Sequence, residues 1–271
     1  MHDLGWLGLE QGAPGRWAFE LTPGLSRLDW KFYGGTGVAV ATAAAEAETG
    51  RRCVWMTVQY VATCATGDRV DLDVDVLAGG RRTSQVRVTA RHGARTIFVA
   101  LGATAAEAPP TLEWQAGPMP EVASPAECPP WAPWAVLAKL GIPGGKVPDG
   151  AGGDAPDHRP GWLGIVDART AGPSGAMWMR MCDQPLTRAA LGFLADVVPS
   201  GVLRAAGRAG GGTSLDNTVR FGAEPDGEWL LVDMDPHLAS GGYVSGAARL
   251  WSASGRLLGV ASQTAAAVLM D

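Results

Sequence analysis

Apolar and polar residues alternate along Arg69–Leu77, with Val70, Leu72, Val74 and Val76 on one face and Asp71, Asp73 and Asp75 on the other. A period of two is the mark of a half-buried β-strand. Similar runs at Val54–Ala62, Thr83–Ala90 and Thr96–Gly102, separated by Gly79-Gly80 and by Arg91-His92-Gly93-Ala94, complete an antiparallel meander. Ahead of the meander, Val38–Glu48 is rich in alanine and has almost no polar face, with Tyr33-Gly34-Gly35-Thr36-Gly37 before it and Gly50 after it. This pattern predicts a buried helix with a glycine exit. Gly5–Leu21 is split by Gly12-Ala13-Pro14-Gly15, which predicts a hairpin: one strand ending near Leu9 and a second through Trp17 and Phe19.

The same order returns after residue 160. Gly161-Trp162-Leu163-Gly164 echoes Gly5-Trp6-Leu7-Gly8. A strand at Met177–Met181 follows Pro173-Ser174-Gly175, and Leu186–Val198 reads as one helix stopped by Pro199. Ser200–Gly212 reads as a loop or short helix, ahead of strands at Thr213–Phe221, Trp229–Met234, Ala247–Ser252 and Leu257–Thr264. Between the halves, Thr104–Pro160 holds 12 of the 19 prolines, a composition that disfavours regular structure. It also carries Trp114, Trp131 and Trp134, so it is expected to lie across the domains pinned by those rings, most mobile near 144–157.

The repeat can be checked by subtraction. Thr57-Val58-Gln59-Tyr60 matches Thr218-Val219-Arg220-Phe221, and Arg95 matches Arg256; both separations are 161. Equal spacing at both ends of the meander indicates a duplicated unit. The expected units are residues 1–104, a Pro/Gly-rich linker 105–160, and residues 161–271. Each unit is a hairpin, a buried helix and a long antiparallel meander. A sheet wrapped around one central helix is the hotdog arrangement, and two in one chain make an α+β double hotdog.

Composition narrows the function. At 46% apolar residues, the 271-residue chain can bury a sizeable core. A net charge of −5 with 18% charged residues gives no electrostatic footprint for nucleic acid. Arg51-Arg52 and Arg81-Arg82 read as solvated turn residues, with phosphate binding as the alternative. No apolar stretch reaches the roughly 18 residues of a membrane span, and Met1–Gly5 lacks the basic start of a signal peptide. Cys53, Cys64, Cys128 and Cys182 form no CxxC pair and no metal-ligand spacing with histidine, which points to reduced thiols, a cytoplasmic setting and no metal.

At this point the chain resembles the thioesterase II-like, double-hotdog acyl-CoA thioesterases. The resemblance rests on Phe32-Tyr33-Gly34-Gly35, Val58-Gln59-Tyr60 with Gly67-Asp68, and Leu191-Gly192-Phe193-Leu194-Ala195-Asp196. It continues through Thr213-Ser214-Leu215-Asp216-Asn217-Thr218, Gly227-Glu228-Trp229-Leu230-Leu231 and Gly255–Gln263, in the family's order. It implies hydrolysis of acyl-CoA to fatty acid and CoA without a cofactor, with acyl-CoA as partner and a homodimer as a plausible assembly. It also implies that an Asp, a hydroxyl and a Gln of the second repeat position a water. Those fall on Asp196, Ser214 and Gln263, with Thr213 as the alternative hydroxyl. Where the family commonly has His, this chain has Asn217.

The residues can also be weighed on their own chemistry. Thioester hydrolysis needs an activated water, a frame to orient it and donors for the oxyanion. Asp196 would sit in the last turn of its helix, where the macrodipole disfavours negative charge, or else is an exposed Asp at a helix stop. Ser214 alone reads as a turn serine. Gln263 interrupts an apolar run and, if buried, must find partners. Gly34 and Gly35, at a helix N-terminus, could turn backbone N–H groups toward the thioester oxygen, or could simply form a tight turn. Subtracting 161 from the three site positions gives Gly35, Cys53 and Gly102, so one site per chain is expected. Competing readings are a non-catalytic acyl-CoA or acyl-carrier binder, an enoyl-CoA hydratase using Asp235-Pro236-His237, and a structural module using the tryptophan-rich segment. A Gly-x-Ser-x-Gly elbow is absent, which disfavours a serine hydrolase.

Overall fold

The structure, a computed structural model, describes residues 2–107, 112–131, 160–172 and 175–270. Its first half runs α1 (His2–Trp6), β1 (Glu10–Ala13), β2 (Arg16–Glu20), α2 (Gly34–Thr49), β3 (Arg52–Tyr60), β4 (Arg69–Gly79), β5 (Thr83–His92) and β6 (Arg95–Ala105). The second half runs β7 (Val166–Thr170), β8 (Met177–Met181), α3 (Arg188–Leu194), α4 (Val198–Ala205), β9 (Gly210–Phe221), β10 (Leu230–Ser240), β11 (Tyr243–Ser252) and β12 (Leu257–Leu269).

All twelve strands form one antiparallel sheet in the order β1-β2-β4-β5-β6-β3-β9-β12-β11-β10-β8-β7. The order reads the same from either edge once each strand is exchanged for its counterpart, as a double hotdog requires. The halves meet at β3 and β9. There Thr57 pairs with Thr218, its own equivalent, and the two hydroxyls lie 2.9 Å apart. This pair, 161 apart in sequence, marks the centre of the seam, and the other β3–β9 pairs fan out from it in antiparallel register.

The alternation in β4 holds where it matters: Val70, Leu72 and Val74 are buried, whereas Val76 has left the core and is half exposed. Helix α2 is buried from Gly34 to Ala45 and ends at Gly50, whose positive φ of 63° fits a left-handed cap. Helix α3 is capped by Thr187, whose hydroxyl accepts from the Ala190 N–H at 3.1 Å and donates to Asp3 of α1 at 2.6 Å. Gly192 lets α3 approach α2, because a Cβ there would stand 2.6 Å from Val38 Cγ1.

Four expectations are corrected. Residues before Leu9 form a helix rather than a strand: Trp6 docks edge-on against Phe193 while Leu7 and Leu9 enter the core, so the hairpin begins only at Glu10. Gly161–Gly164, the echo of that segment, is likewise helical, as a 3-10 turn. The segment Leu186–Val198 is not one helix. It breaks at Ala195–Val197, and Pro199 starts α4 instead of ending α3, since a proline in a first turn forfeits no hydrogen bond. Strands β10 and β12 also run several residues past their predicted ends.

Part of the inter-repeat segment packs on the second half. The Trp131 N–H donates to Ala168 O at 2.7 Å, and Trp178 Nε1 donates to Ala123 O at 2.9 Å. Trp131 stacks on Trp162, whereas Trp114 is 83% exposed and pins nothing. Trp134, His158, the stretch 144–157 and the turn at Pro173-Ser174 lie outside the described residues. Cys53, Cys64 and Cys128 are buried, and Cys182 is exposed.

Candidate active site

The break between α3 and α4 places Asp196 in the core, with only 9% of its surface exposed. This reverses both expectations for it. Asp196 is not a surface residue, and its carboxylate faces a helix start instead of a helix end. Its Oδ2 accepts the N–H of Gly35, in the first turn of α2, at 2.8 Å. A helix N-terminus carries partial positive charge and unpaired N–H donors, so it favours an anion.

The other oxygen, Oδ1, accepts from Asn217 Nδ2 at 3.1 Å, from Ser214 Oγ at 3.3 Å and from Gln263 Nε2. Gln263 Nε2 also lies 2.9 Å from Ser214 Oγ. The three residues picked out in the sequence therefore converge on one point. Asn217, noted only as a departure from a pattern, joins them. Gln263 and Asn217 are cross-strand partners in β12 and β9, and both are buried.

A regular strand would turn Ser214 away from Asn217, since they are three positions apart. The β9–β12 register shifts between Thr264 and Ala265: Thr264 pairs with Asp216, and Ala265 with Ser214. Leu215 is the extra residue of a β-bulge, which returns Ser214 to the site face. The bulge also decides between the two hydroxyls. Thr213 is exposed and accepts from Arg27 Nη1 at 3.4 Å, while Ser214 faces Asp196.

Burial pushes the Asp196 carboxyl up to about 6, against four hydrogen bonds, from Gly35, Asn217, Gln263 and Ser214, that favour the ionised form. Burial and the nearby Asp196 charge raise the Tyr33 and Tyr60 phenols well above their ordinary range. Both rings hold backbone: Tyr33 Oη donates to Asp196 O at 3.3 Å, and Tyr60 Oη to Gly34 O at 2.5 Å. Gly34 allows no side chain, as a Cβ would stand 2.6 Å from Asp196 Oδ2 and 2.9 Å from Ser214 Oγ. Two side-chain oxygens, Asn217 Oδ1 and Gln263 Oε1, are buried without a protein partner.

The first repeat lacks this chemistry, although the correspondence differs from simple subtraction. The strands keep the offset of 161, but α2 begins at Gly34 and α3 at Arg188, a difference of 188 − 34 = 154. The counterpart of Asp196 is thus Thr42 (196 − 154), not Gly35. Thr42 lies beside Cys53 as Asp196 lies beside Ser214. The remaining counterparts, Met56 for Asn217 and Gly102 for Gln263, carry no amide. Burial pushes the Cys53 thiol up to about 12, so it is not a ready nucleophile.

A cavity of about 210 Å³ opens beside Asp196 and Ser214, with Tyr33, Trp131, Trp162 and Met177 among its described walls. Asp235 and His237 are exposed on β10, where they pair with each other at 3.3 Å, and neither is among the described walls of this cavity. Among the described residues, no group of three His, Cys, Asp or Glu is placed to hold a metal, and no helix is long and apolar enough to cross a membrane.

Fold and site together define a double hotdog with a buried carboxylate held by two amides, a hydroxyl and a helix N-terminus. The chain belongs to the acyl-CoA thioesterase family: residues 22–105 match the acyl-CoA thioesterase N-terminal domain and residues 141–267 the C-terminal domain. Among solved structures, a candidate thioesterase from Novosphingobium aromaticivorans shares 28% identity at a TM-score of 0.78, covering 95% of this chain and 97% of that one. A candidate thioesterase II from Thermobifida fusca shares 21% at 0.79, covering 98% and 99%. An acyl-CoA thioesterase II from Mycobacterium marinum shares 17% at 0.72, covering 98% of each. No curated protein matches the chain in sequence.

Proposed function

We propose that the protein hydrolyses acyl-CoA to a free carboxylic acid and CoA by direct attack of water, from one site per chain. The carrying observation is Asp196: a buried carboxylate with a pKa of about 6, hydrogen-bonded to Ser214 and Gln263 at the wall of a cavity. A base with a pKa near the working pH is ionised enough to act and basic enough to take a proton. In this reading Asp196 removes a proton from water, and Ser214 Oγ and the unpartnered Gln263 Oε1 orient that water. Its oxygen bonds to the thioester carbon, the C–S bond breaks, and the proton passes from Asp196 to the leaving thiolate.

The developing oxyanion needs a donor. Gly35 spends its N–H on Asp196. Gly34, one residue nearer the start of α2, has no intrahelical acceptor by position and is the donor we assign. Residues 1–104, 105–160 and 161–271 serve as working units, with Asp196, Ser214 and Gln263 in the last and the Gly34 donor in the first. A homodimer through sheet edges fits the fold.

The test is release of free thiol from an acyl-CoA panel by the wild type and Asp196→Asn. The substitution should lower kcat/KM by roughly a hundredfold or more. Unchanged turnover would keep the activity and discard the site. No turnover by the wild type, with acyl-CoA still raising its melting temperature, would make the protein a binder.

A further inference from the structure

The cavity beside Asp196 is small for a lipid chain. At about 210 Å³ it exceeds by a modest margin the roughly 150 Å³ of an apolar cavity that accepts benzene. That is room for a six-membered ring and a short connecting chain. Three rings, Tyr33, Trp131 and Trp162, stand among its described walls, beside aliphatic residues and the charged Arg27 and Asp29. Trp162 stacks on Tyr33, with centroids 5.5 Å apart and planes 17° apart, and on Trp131, at 5.8 Å and 15°. Tyr33 in turn meets the edge of Phe193 at 5.0 Å. Aromatic side chains at a cavity wall favour another ring through stacked or edge-to-face contact.

Trp131, the far end of the described stack, belongs to the inter-repeat segment and is tied to β7 through its own N–H. Through Trp162 the stack joins it to Tyr33, beside Asp196. A residue outside both hotdog units is therefore one wall of the acyl space.

Resting on the thioesterase reading, we infer that the site is built for acyl-CoAs with a compact, ring-bearing acyl group of phenylacetyl size, and that Trp131 sets the limit. Carbons beyond that limit stay in solvent and add no binding. Within the cavity each buried methylene should tighten binding roughly fourfold, and past it the gain should stop.

The experiment compares kcat and KM for butanoyl-, hexanoyl-, octanoyl-, palmitoyl- and phenylacetyl-CoA, using the wild type, Trp131→Ala and Trp131→Phe, each checked for fold by its melting curve. The expected wild type has a KM that falls to about octanoyl and then levels, with phenylacetyl-CoA at least tenfold better than palmitoyl-CoA in kcat/KM. Trp131→Ala should extend the fall in KM to palmitoyl-CoA and lower the preference for phenylacetyl-CoA, while Trp131→Phe keeps the wild-type order. A wild type that prefers palmitoyl-CoA, or a folded Trp131→Ala that loses all substrates equally, overturns the inference and leaves the thioesterase reading intact. A wild type that hydrolyses none of them overturns that reading, and this one with it.

Discussion

Asn217→Leu isolates the electrostatics of the site. Asn217 Nδ2 donates to Asp196 Oδ1 at 3.1 Å from a fully buried position. Leucine is close to asparagine in shape and removes the donor. It also removes Asn217 Oδ1, a buried oxygen without a protein partner, so the fold should tolerate the change. A hydrogen bond to a charged group contributes about 1.5–3 kcal/mol, and one pKa unit corresponds to about 1.4 kcal/mol. Because the bond favours the ionised form, its loss raises the pKa by about one to two units. From about 6, Asp196 moves to between roughly 7 and 8. The active form is the carboxylate, so kcat/KM rises with pH through that value. At pH 7 the ionised fraction falls from roughly nine-tenths to about a quarter for a pKa near 7.5. The assay is kcat/KM for thiol release from pH 5 to 9.5. The inflection should move up by one to two units, with the plateau at high pH lowered only a few-fold. An inflection that stays near 6 while the plateau collapses would refute the tuning role. A wild type with no inflection near 6 would refute Asp196 as the titrating base.

Two further outcomes follow from the same geometry. The folded-state pKa of Asp196, about 6, lies above its unfolded value of 3.8. Between these values the native state holds the proton more tightly, so raising the pH through that window costs stability, on the order of 3 kcal/mol in all. Urea melts of the wild type and Asp196→Asn at pH 4 and pH 7.5 should show the wild type losing ground over that range relative to the variant; equal changes would sink the assignment. Gly35→Ala places a Cβ 2.2 Å from Phe193 O, a backbone atom that cannot swing aside. It should lower stability by about 1–3 kcal/mol in denaturant melts, and it should raise the pH of half-maximal activity as the Gly35 N–H shifts away from Asp196. A neutral Gly35→Ala would show that α2 and α3 do not meet as described.

The strands were legible because one face of each is wet: Asp71, Asp73 and Asp75 announce β4 beside Val70, Leu72 and Val74. The pattern predicts too short a β10–β11 hairpin because residues such as Leu238 and Tyr243 are exposed there. Alternation reports burial, not pairing, and a ribbon that leaves the core has none. The break at Ala195–Val197 was hidden by Pro199, which reads as a stop after one helix and equally as the first turn of the next. With the break went the true setting of Asp196, since only the fold brings Gly35 to it from another helix. Asn217 stood in plain view, but its partner depends on a bulge at Leu215, and no side-chain pattern marks a bulge. Ser214, Gln263 and Asp196 were found through resemblance; their own chemistry left bland alternatives standing.

At the seam, Thr57 meets Thr218, its own duplicate. In a pair of identical subunits, every change would be made twice, and whatever suited one side of the axis would be imposed on the other. Joining the copies in one chain ends that obligation. One half has opened its helix and seated an acid in the gap, while the other keeps α2 unbroken, with a threonine and a thiol at the matching places. The second half owes its buried carboxylate to this freedom, and the first supplies the helix end that steadies it.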